Sequence, residues 1–90
     1  MMDQVVDAAT ARGLHANACA AHALMAWVVT QDPPGHPGRL VARLATEAPT
    51  PYVLVADTLA GLHAQLPADL ARSDRQPADP PEVVEIWFPA

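Results

Sequence analysis

A strand, a helix cap and a helix follow one another in a single stretch, Tyr52-Val-Leu-Val-Ala-Asp-Thr-Leu-Ala-Gly-Leu-His-Ala-Gln-Leu66. Its first five residues include a tyrosine and two valines, a composition that favours a strand. Asp57 or Thr58 can then supply the N-cap of the helix that follows. We predict a helix over 58–66 that ends before Pro67, because proline lacks the backbone donor that a helix needs. Three residues recur at the spacing of one helical face: Leu59, Leu62 and Leu66. Since two helical turns are unstable alone, this helix must pack on a sheet.

Three further strands are predicted, two before this unit and one after it. Residues 32–38 hold three prolines and two glycines and separate the first two strands, because neither a helix nor a central strand crosses such a run. Short connections between consecutive strands favour antiparallel pairing. We therefore predict an α+β fold, a four-stranded, mostly antiparallel sheet with the helix packed on one face; the strands are 23–31, 39–46, 52–56 and 82–88.

The first residues have a different composition from the rest of the chain. Residues 1–21 are rich in alanine and poor in bulky side chains, so we treat them as a separate N-terminal segment, helical or partly disordered. Within it we predict a helix over 3–12, because carboxylates such as Asp7 are favourable near a helix N-terminus. The single α+β domain then spans residues 22–90. Residues 70–75 are a further candidate for a short edge strand.

Length and charge exclude several classes of protein. The chain has 90 residues, one cysteine and a formal net charge of −5, with arginine as its basic residue and no lysine. That length makes one domain, and one cysteine cannot form an internal disulfide. The acidic balance disfavours a nucleic-acid binder, and no apolar run reaches the ~20 residues of a membrane span. With no signal peptide evident, we expect a cytoplasmic protein. The alanine, arginine and proline content suggests a GC-rich bacterial source.

The predicted strands are apolar on both sides, which is unusual for a sheet covered by one short helix. An antiparallel sheet normally turns polar residues toward solvent on its second face. A second cover is therefore expected, either the N-terminal helix or another chain. We favour another chain, most simply a homodimer, because exposed apolar patches with aromatic anchors mark contact sites. The predicted interface residues are Met25, Trp27, Val29 and Trp87.

The sequence offers few residues with the spacing that chemistry requires. On a continuous helix His15, Cys19 and His22 would share one face, and imidazole and thiolate are zinc ligands, so they are the metal-site candidates. Cys19 has no nucleophile signature around it. His36 in the Pro/Gly turn, or His63 beside the leucine stripe, would indicate a small ligand-binding protein or enzyme if a deep pocket held it with a carboxylate. We predict no catalytic residue and no cofactor.

The arginines are predicted to neutralise carboxylates. Arg39, Arg43, Arg72 and Arg75 could form a small basic patch, but acidic residues outnumber basic ones by 10 to 5. A solvated face or a rim of ion pairs is the better interpretation. We expect Glu85 to pair with one of these arginines across neighbouring strands.

The order strand–strand–strand–helix–strand resembles the fold of HicB-type antitoxins. In that family a third strand leads through an Asp-Thr-hydrophobic cap into a short helix, and Asp57, Thr58 and Leu59 match that element. The chain departs from the family in its third strand, which is not Gly-rich, and in its helix, which lacks a Glu-Ala pair. The whole chain is also similar to small proteins of unknown function from GC-rich bacteria.

Together these observations predict a small, acidic, non-catalytic protein-interaction module. The resemblance implies an antitoxin- or inhibitor-like role, and the acidic charge would suit a basic protein partner. Two alternatives stay open: a metal-binding protein that uses His15, Cys19 and His22, and a small ligand-binding protein or enzyme.

Overall fold

The computed structural model describes residues 3–89, in which two helices and six strands follow the order β-α-β-β-β-α-β-β. The helices are α1 (Ala8–Ala21) and α2 (Leu59–Gln65). The strands are β1 (Gln4–Val5), β2 (Met25–Gln31), β3 (Leu40–Thr46), β4 (Pro49–Ala56), β5 (Leu70–Asp74) and β6 (Val83–Pro89). The α+β class is therefore confirmed, and the predicted sheet of four strands is the centre of a larger one. Residues 1, 2 and 90, at the ends of the two predicted segments, lie outside the described residues.

All six strands belong to one mixed sheet with the order β1-β4-β3-β2-β6-β5. β1 runs parallel to β4, and the other neighbours are antiparallel. The two strands missing from the four-stranded prediction are the outer ones. β1 has two residues and therefore no periodicity of its own. β5 occupies the candidate edge position at 70–75, and its mixed charged and apolar composition is typical of a protected edge.

The N-terminal helix differs from the prediction in both position and role. It runs from Ala8 to Ala21 rather than over 3–12, and the Asp7 side chain caps it by accepting from Thr10 N at 2.8 Å. Gly13 lies within it, at a cost of about 1 kcal/mol relative to alanine. Burial of Ala11 and Ala18 offsets that cost, since both lie in the core. These two alanines make the N-terminal segment part of the core of the fold.

Both helices cover the same side of the sheet. We call this side the helix-covered face; its largest buried residues are Trp27 and Leu54, which join Leu62 of α2 in the core. The opposite side, which we call the open face, carries no helix from the described residues 3–89. The prediction that α2 packs on one face is confirmed, and α1 covers that same face rather than the second one. Neither helix is long and apolar enough to cross a membrane within this part of the chain.

Part of the open face is covered by a loop. Residues 32–38, which we call the strap, connect β2 to β3, and Gly38 adopts a positive φ of 74° that favours glycine. Asp32 Oδ1 accepts from Gly38 N at 2.6 Å, which closes the base of the strap. Two valines on the open face, Val41 and Val53, are 1% and 0% exposed. The strap and the N-terminal residues around Asp3 thus take the place that a helix would have.

Candidate functional site

A buried carboxylate, Glu85, connects three elements on the helix-covered face. Its Oε1 accepts from His63 Nε2 of α2 at 2.5 Å and from Trp87 Nε1 at 2.9 Å. Its Oε2 accepts from Arg72 Nε of β5 at 2.7 Å. Glu85 is only 1% exposed, so the three donors replace the water that an ionised carboxylate would otherwise require. The predicted cross-strand pairing of Glu85 with an arginine is confirmed, and the arginine is Arg72.

The charge state of Glu85 limits what this cluster can do. Burial raises the pKa of Glu85, but the hydrogen bonds from His63, Trp87 and Arg72 outweigh it and hold the pKa below its ordinary value. A general acid at neutral pH needs a raised carboxyl pKa, so Glu85 is not suited to that role. Its bond to Nε2 leaves only Nδ1 of the His63 ring free. The arrangement anchors α2 and β5 to β6 and does not present a reactive carboxyl group.

A second carboxylate, Asp3, is held in the same way on the open face. Its Oδ1 accepts from Arg43 NH2 at 2.6 Å, and its Oδ2 lies 3.1 Å from His36 Nε2 in the strap. The hydrogen bond from Arg43 lowers the pKa of Asp3 most, and the bond from His36 adds to it against the effect of burial. Arg43 also donates to the backbone oxygen of Thr50 at 3.2 Å. This cluster fastens the strap and the N-terminal residues to the sheet.

The three metal-site candidates are not brought together. His15 and Cys19 do meet on α1, with 3.7 Å between Nε2 and Sγ. His22 is the extended C-cap after Ala21, and its Nδ1 lies 2.8 Å from Glu47 Oε2. Because the helix ends before His22, the i, i+7 relation to His15 is lost. Among the residues 3–89, no group of three or more His, Cys, Asp or Glu is placed to hold a metal ion.

The contact between Cys19 and His15 is also a poor catalytic pair. Trp27 Nε1 donates to His15 Nδ1 at 3.4 Å, which places the proton of the neutral ring on Nε2. That nitrogen then faces the sulfur as a donor. A base that activates a thiol must instead offer an unprotonated nitrogen to it. Cys19 is exposed, but this geometry does not prepare it for nucleophilic attack.

The Glu47 carboxylate joins the start of β2 to the turn between β3 and β4. Its Oε1 accepts from Leu24 N at 2.8 Å, and its Oε2 meets His22. The Leu24 backbone donor contributes most to holding the pKa of Glu47 at about 2, followed by the residue's own backbone N–H and the His22 side chain. This exposed pair orients the chain as it leaves α1. The contact of Glu47 with His22 and Leu24 stabilises the turn between β3 and β4.

Three of the four predicted interface residues lie inside the molecule. Met25 is 7% exposed, and Trp27 and Val29 are 0% exposed, beneath the two helices. Trp87 is half-buried, with its ring centroid 5.2 Å from that of His63 in an edge-to-face arrangement. In a single chain these side chains are therefore core residues. Phe88, which is 44% exposed, lies on the opposite face.

An apolar groove lies at the end of the sheet where β2 begins. This groove has a volume of about 540 Å³, and Leu24, Ala26 and Phe88 contribute to its walls. Leu24 is 69% and Phe88 is 44% exposed. Cys19 and His22 lie at its border, whereas His36 and His63 do not line it. Both of those histidines meet a carboxylate, as a ligand site would require, but away from this groove.

Three of the arginines considered for a basic patch are paired with carboxylates. Arg39 contacts Asp57 at 3.4 Å, Arg72 contacts Asp74 at 2.9 Å, and Arg43 contacts Asp3. The arginines are thus distributed as the predicted rim of ion pairs. The roles of Asp3 and His63 were not predicted, because their partners are distant in sequence and no local pattern indicates them.

Comparison of the chain with protein-family models, curated proteins and solved structures gives no significant match.

Proposed function

We propose that the protein is a small, non-catalytic protein-interaction module whose docking surface lies on the open face. One observation carries the proposal: among residues 3–89 the strap covers only part of that face, and the side chains on the rest of it are apolar. We call this part the open patch; it consists of Val28, Ala45, Ile86 and Phe88, which lie around the buried Ala26. Phe88 is 44% exposed, and Val28 and Ile86 are partly exposed. Apolar patches of this kind on small domains are characteristic of interaction sites.

The polar clusters support a non-catalytic role. The hydrogen bonds of each histidine–carboxylate pair join elements of the fold. The carboxyl groups of Glu85 and Asp3 have lowered pKa values. The Cys19–His15 contact has the wrong proton arrangement for a nucleophile. An active site needs these groups to converge on a shared cavity. Here they are distributed over different parts of the fold.

An antitoxin- or inhibitor-like role is part of this proposal. It rests on the resemblance of Asp57, Thr58 and Leu59 to the HicB-type strand-to-helix element, and in the fold Thr58 does cap α2 by accepting from Gly61 N at 3.0 Å. The net charge of −5 would steer a basic target toward the chain at low ionic strength. In such a complex the open patch would supply the apolar contact.

A photo-cross-linking amino acid tests the proposed surface. It is placed at Phe88 and, as a matched control, at Ala16, an exposed residue of α1 on the other side of the molecule. Both variants of the full chain are irradiated in cells of the organism that encodes it. We expect discrete adducts from position 88 and not from position 16. Adducts with a second copy or with another protein both support the module, and a lack of specific adducts from position 88 would refute it.

A further inference from the structure

We propose that α1 is a pH-sensitive cover of the sheet, held in place by a hydrogen bond that only the neutral ring of His15 can accept. The donor of that bond is the indole N–H of Trp27, a residue of β2 that is 0% exposed. Its Nε1 lies 3.4 Å from His15 Nδ1. The inference goes beyond the interaction module, because it concerns the helix-covered face rather than the open patch.

Protonation of His15 removes the acceptor that Trp27 uses. An imidazolium ring has no acceptor, because both of its nitrogens carry protons. The ring would then place an N–H group against the indole N–H group, and turning the ring over brings a C–H group to the same position. Among residues 3–89 no buried side-chain nitrogen or oxygen lacks a partner, and a buried donor that loses its acceptor is costly. The observed position of α1 therefore requires a neutral His15.

Within residues 3–89 the surroundings of His15 offer no free counter-charge to the added proton. Cys19, one turn further along α1, has its Sγ 3.7 Å from His15 Nε2, but a thiol is a weak, uncharged acceptor. Arg12, three residues earlier on the same helix, is itself positive. On the same face of the sheet, Tyr52 of β4 contributes an uncharged phenol, and Glu85 of β6 already binds three donors.

The other histidines respond to acid in the opposite way. Each of them lies 2.5–3.1 Å from a carboxylate; the pairs are His22 with Glu47, His36 with Asp3, and His63 with Glu85. A protonated ring keeps its N–H donor and adds a positive charge beside the carboxylate, which strengthens such a bond. Acid in the range where histidines titrate therefore preserves the attachment of α2, of the strap and of the C-terminal end of α1. The middle of α1, at His15, loses a contact instead.

The middle of α1 has little apolar area with which to stay on the sheet. The buried residues among its 14 are Ala11 and Ala18, each with a single methyl group, and Leu14 is half-buried. In α2, by contrast, Leu62 is fully buried in the core. Because hydrophobic stabilisation scales with buried apolar area, one hydrogen bond matters more to the position of α1 than to that of α2. Loss of that bond therefore opens α1 locally while α2 and the sheet stay folded.

Proton linkage gives the expected size of the effect. A histidine in water takes up its proton near pH 6.5, so a ring that binds the proton only when α1 is open favours opening about 10-fold more at pH 5.5 than at pH 7.5. Opening uncovers the apolar side chains beneath the helix, of which Trp27 is the largest. Mildly acidic conditions thus expose a surface that is closed at neutral pH.

Hydrogen–deuterium exchange of the full chain at about pH 7.5 and about pH 5.5, corrected for the intrinsic pH dependence of exchange, tests the inference. The amides of α1 are compared with those of α2 and β3 in the same molecule, so that local opening is distinguished from a general loss of stability. The main variant is His15→Asn, because its Oδ1 takes the position of Nδ1 and accepts a hydrogen bond without titrating. The matched control is His36→Gln, whose side-chain NH₂ replaces the Nε2 donor to Asp3.

We expect the protection of the α1 amides to fall about 10-fold between the two pH values, both in the unmodified chain and in His36→Gln, while that of α2 and β3 does not fall. In His15→Asn the protection of α1 should change less than ~2-fold. An unmodified chain whose α1 keeps its protection at the lower pH would overturn the inference. An equal fall in α1, α2 and β3, or an undiminished fall in His15→Asn, would overturn it as well.

Discussion

Each face of the sheet carries a carboxylate held between a histidine and an arginine, yet the two clusters differ in burial. On the helix-covered face Glu85 is 1% exposed, whereas the Asp3 side chain on the open face is 23% exposed. Full burial removes the carboxylate from water, so every donor lost there leaves a desolvated charge. At the partly exposed cluster, water can replace a lost donor. A carboxylate, a histidine and an arginine therefore join core elements on one face and hold a loop to the sheet on the other.

The apolar residues of the two faces show the same difference. Val29 and Val28 are neighbours in β2 and point to opposite sides; Val29 is 0% exposed under the helices, and Val28 is partly exposed. Composition does not separate them, because both strand faces carry valine and alanine. What separates them is the position of α1, which lies beside α2 instead of on the opposite side. Substitutions on the two faces should therefore have unequal consequences.

The largest expected effect is that of Leu62→Asp. Leu62 is fully buried where α2 meets the helix-covered face, so the new carboxylate would lie in the core without a partner. Its cost exceeds the few kcal/mol that stabilise a domain of this size, and we expect no cooperative melt by circular dichroism. Ala64→Asp adds the same charge at an exposed position of the same helix and should melt normally. A cooperative melt of Leu62→Asp near that of the unmodified chain would contradict this account of the core.

Paired valine truncations compare the faces directly. Val29→Ala should lower the free energy of unfolding by about 2–3 kcal/mol, because it removes two buried methyl groups and leaves a cavity. Val28→Ala should cost less than ~1 kcal/mol, since the side chain is already partly in water. Urea denaturation at low protein concentration measures both. Equal losses would show that the open face is as well covered as the other.

The two clusters should lose different amounts of stability when the carboxylate is replaced by the corresponding neutral amide. Glu85→Gln should cost about 1–3 kcal/mol at pH 6, because the amide NH₂ would face a donor, either Arg72 or His63 and Trp87. Asp3→Asn should cost at most about 1 kcal/mol, as expected for a partly exposed ion pair. Chemical denaturation at pH 6 measures the two losses. A larger loss of unfolding free energy for Asp3→Asn than for Glu85→Gln would show that the Asp3 cluster contributes more to stability than the Glu85 cluster.

Acid should reduce the contribution of Glu85 to the free energy of unfolding. Since its folded-state pKa is lowered, its contribution to stability is fully present above the ordinary pKa of 4.5 and is lost as the pH falls through the folded value. The difference in unfolding free energy between the unmodified chain and Glu85→Gln should therefore shrink as the pH falls below 4.5. A difference that is constant from pH 6 to the acid limb would show that the charge of Glu85 is not what matters.

The smallest expected effect is a gain from Gly13→Ala. An added Cβ at Gly13 would meet nothing within 4 Å, so the substitution strengthens α1 by about 0.5–1 kcal/mol. Gly61→Ala in α2 is the matched contrast, because its Cβ would lie 3.1 Å from Thr58 Oγ1, the capping oxygen. We expect the first to raise the melting temperature by a few degrees and the second to give little or no gain. Equal gains in melting temperature would show that the Thr58 side chain can shift without weakening the cap of α2.

Much of the fold could be predicted from local patterns, and much of the polar arrangement could not. The spacing of the α2 leucines predicts that helix, and the Pro/Gly run predicts the break at the strap, because both signals lie within a few neighbouring residues. The length of α1 was missed because Gly13 and Asn17 weaken the local propensity. Burial of Ala11 and Ala18 outweighs it. Asp3 and Arg43 are 40 positions apart, and no periodicity indicates such a contact.

Local sequence signals account for the kinds of elements, the breaks between them and the two apolar faces, because propensity, capping and alternation act over a few residues. Tertiary structure decided which face the N-terminal helix covers, and hence that Trp27 lies in the core while Phe88 remains exposed. It also brought His63 and Arg72 to Glu85, since a buried carboxylate must collect its donors from wherever the chain places them. The exposed aromatic side chain of Phe88 therefore lies on the open face, and Met25 is buried on the other.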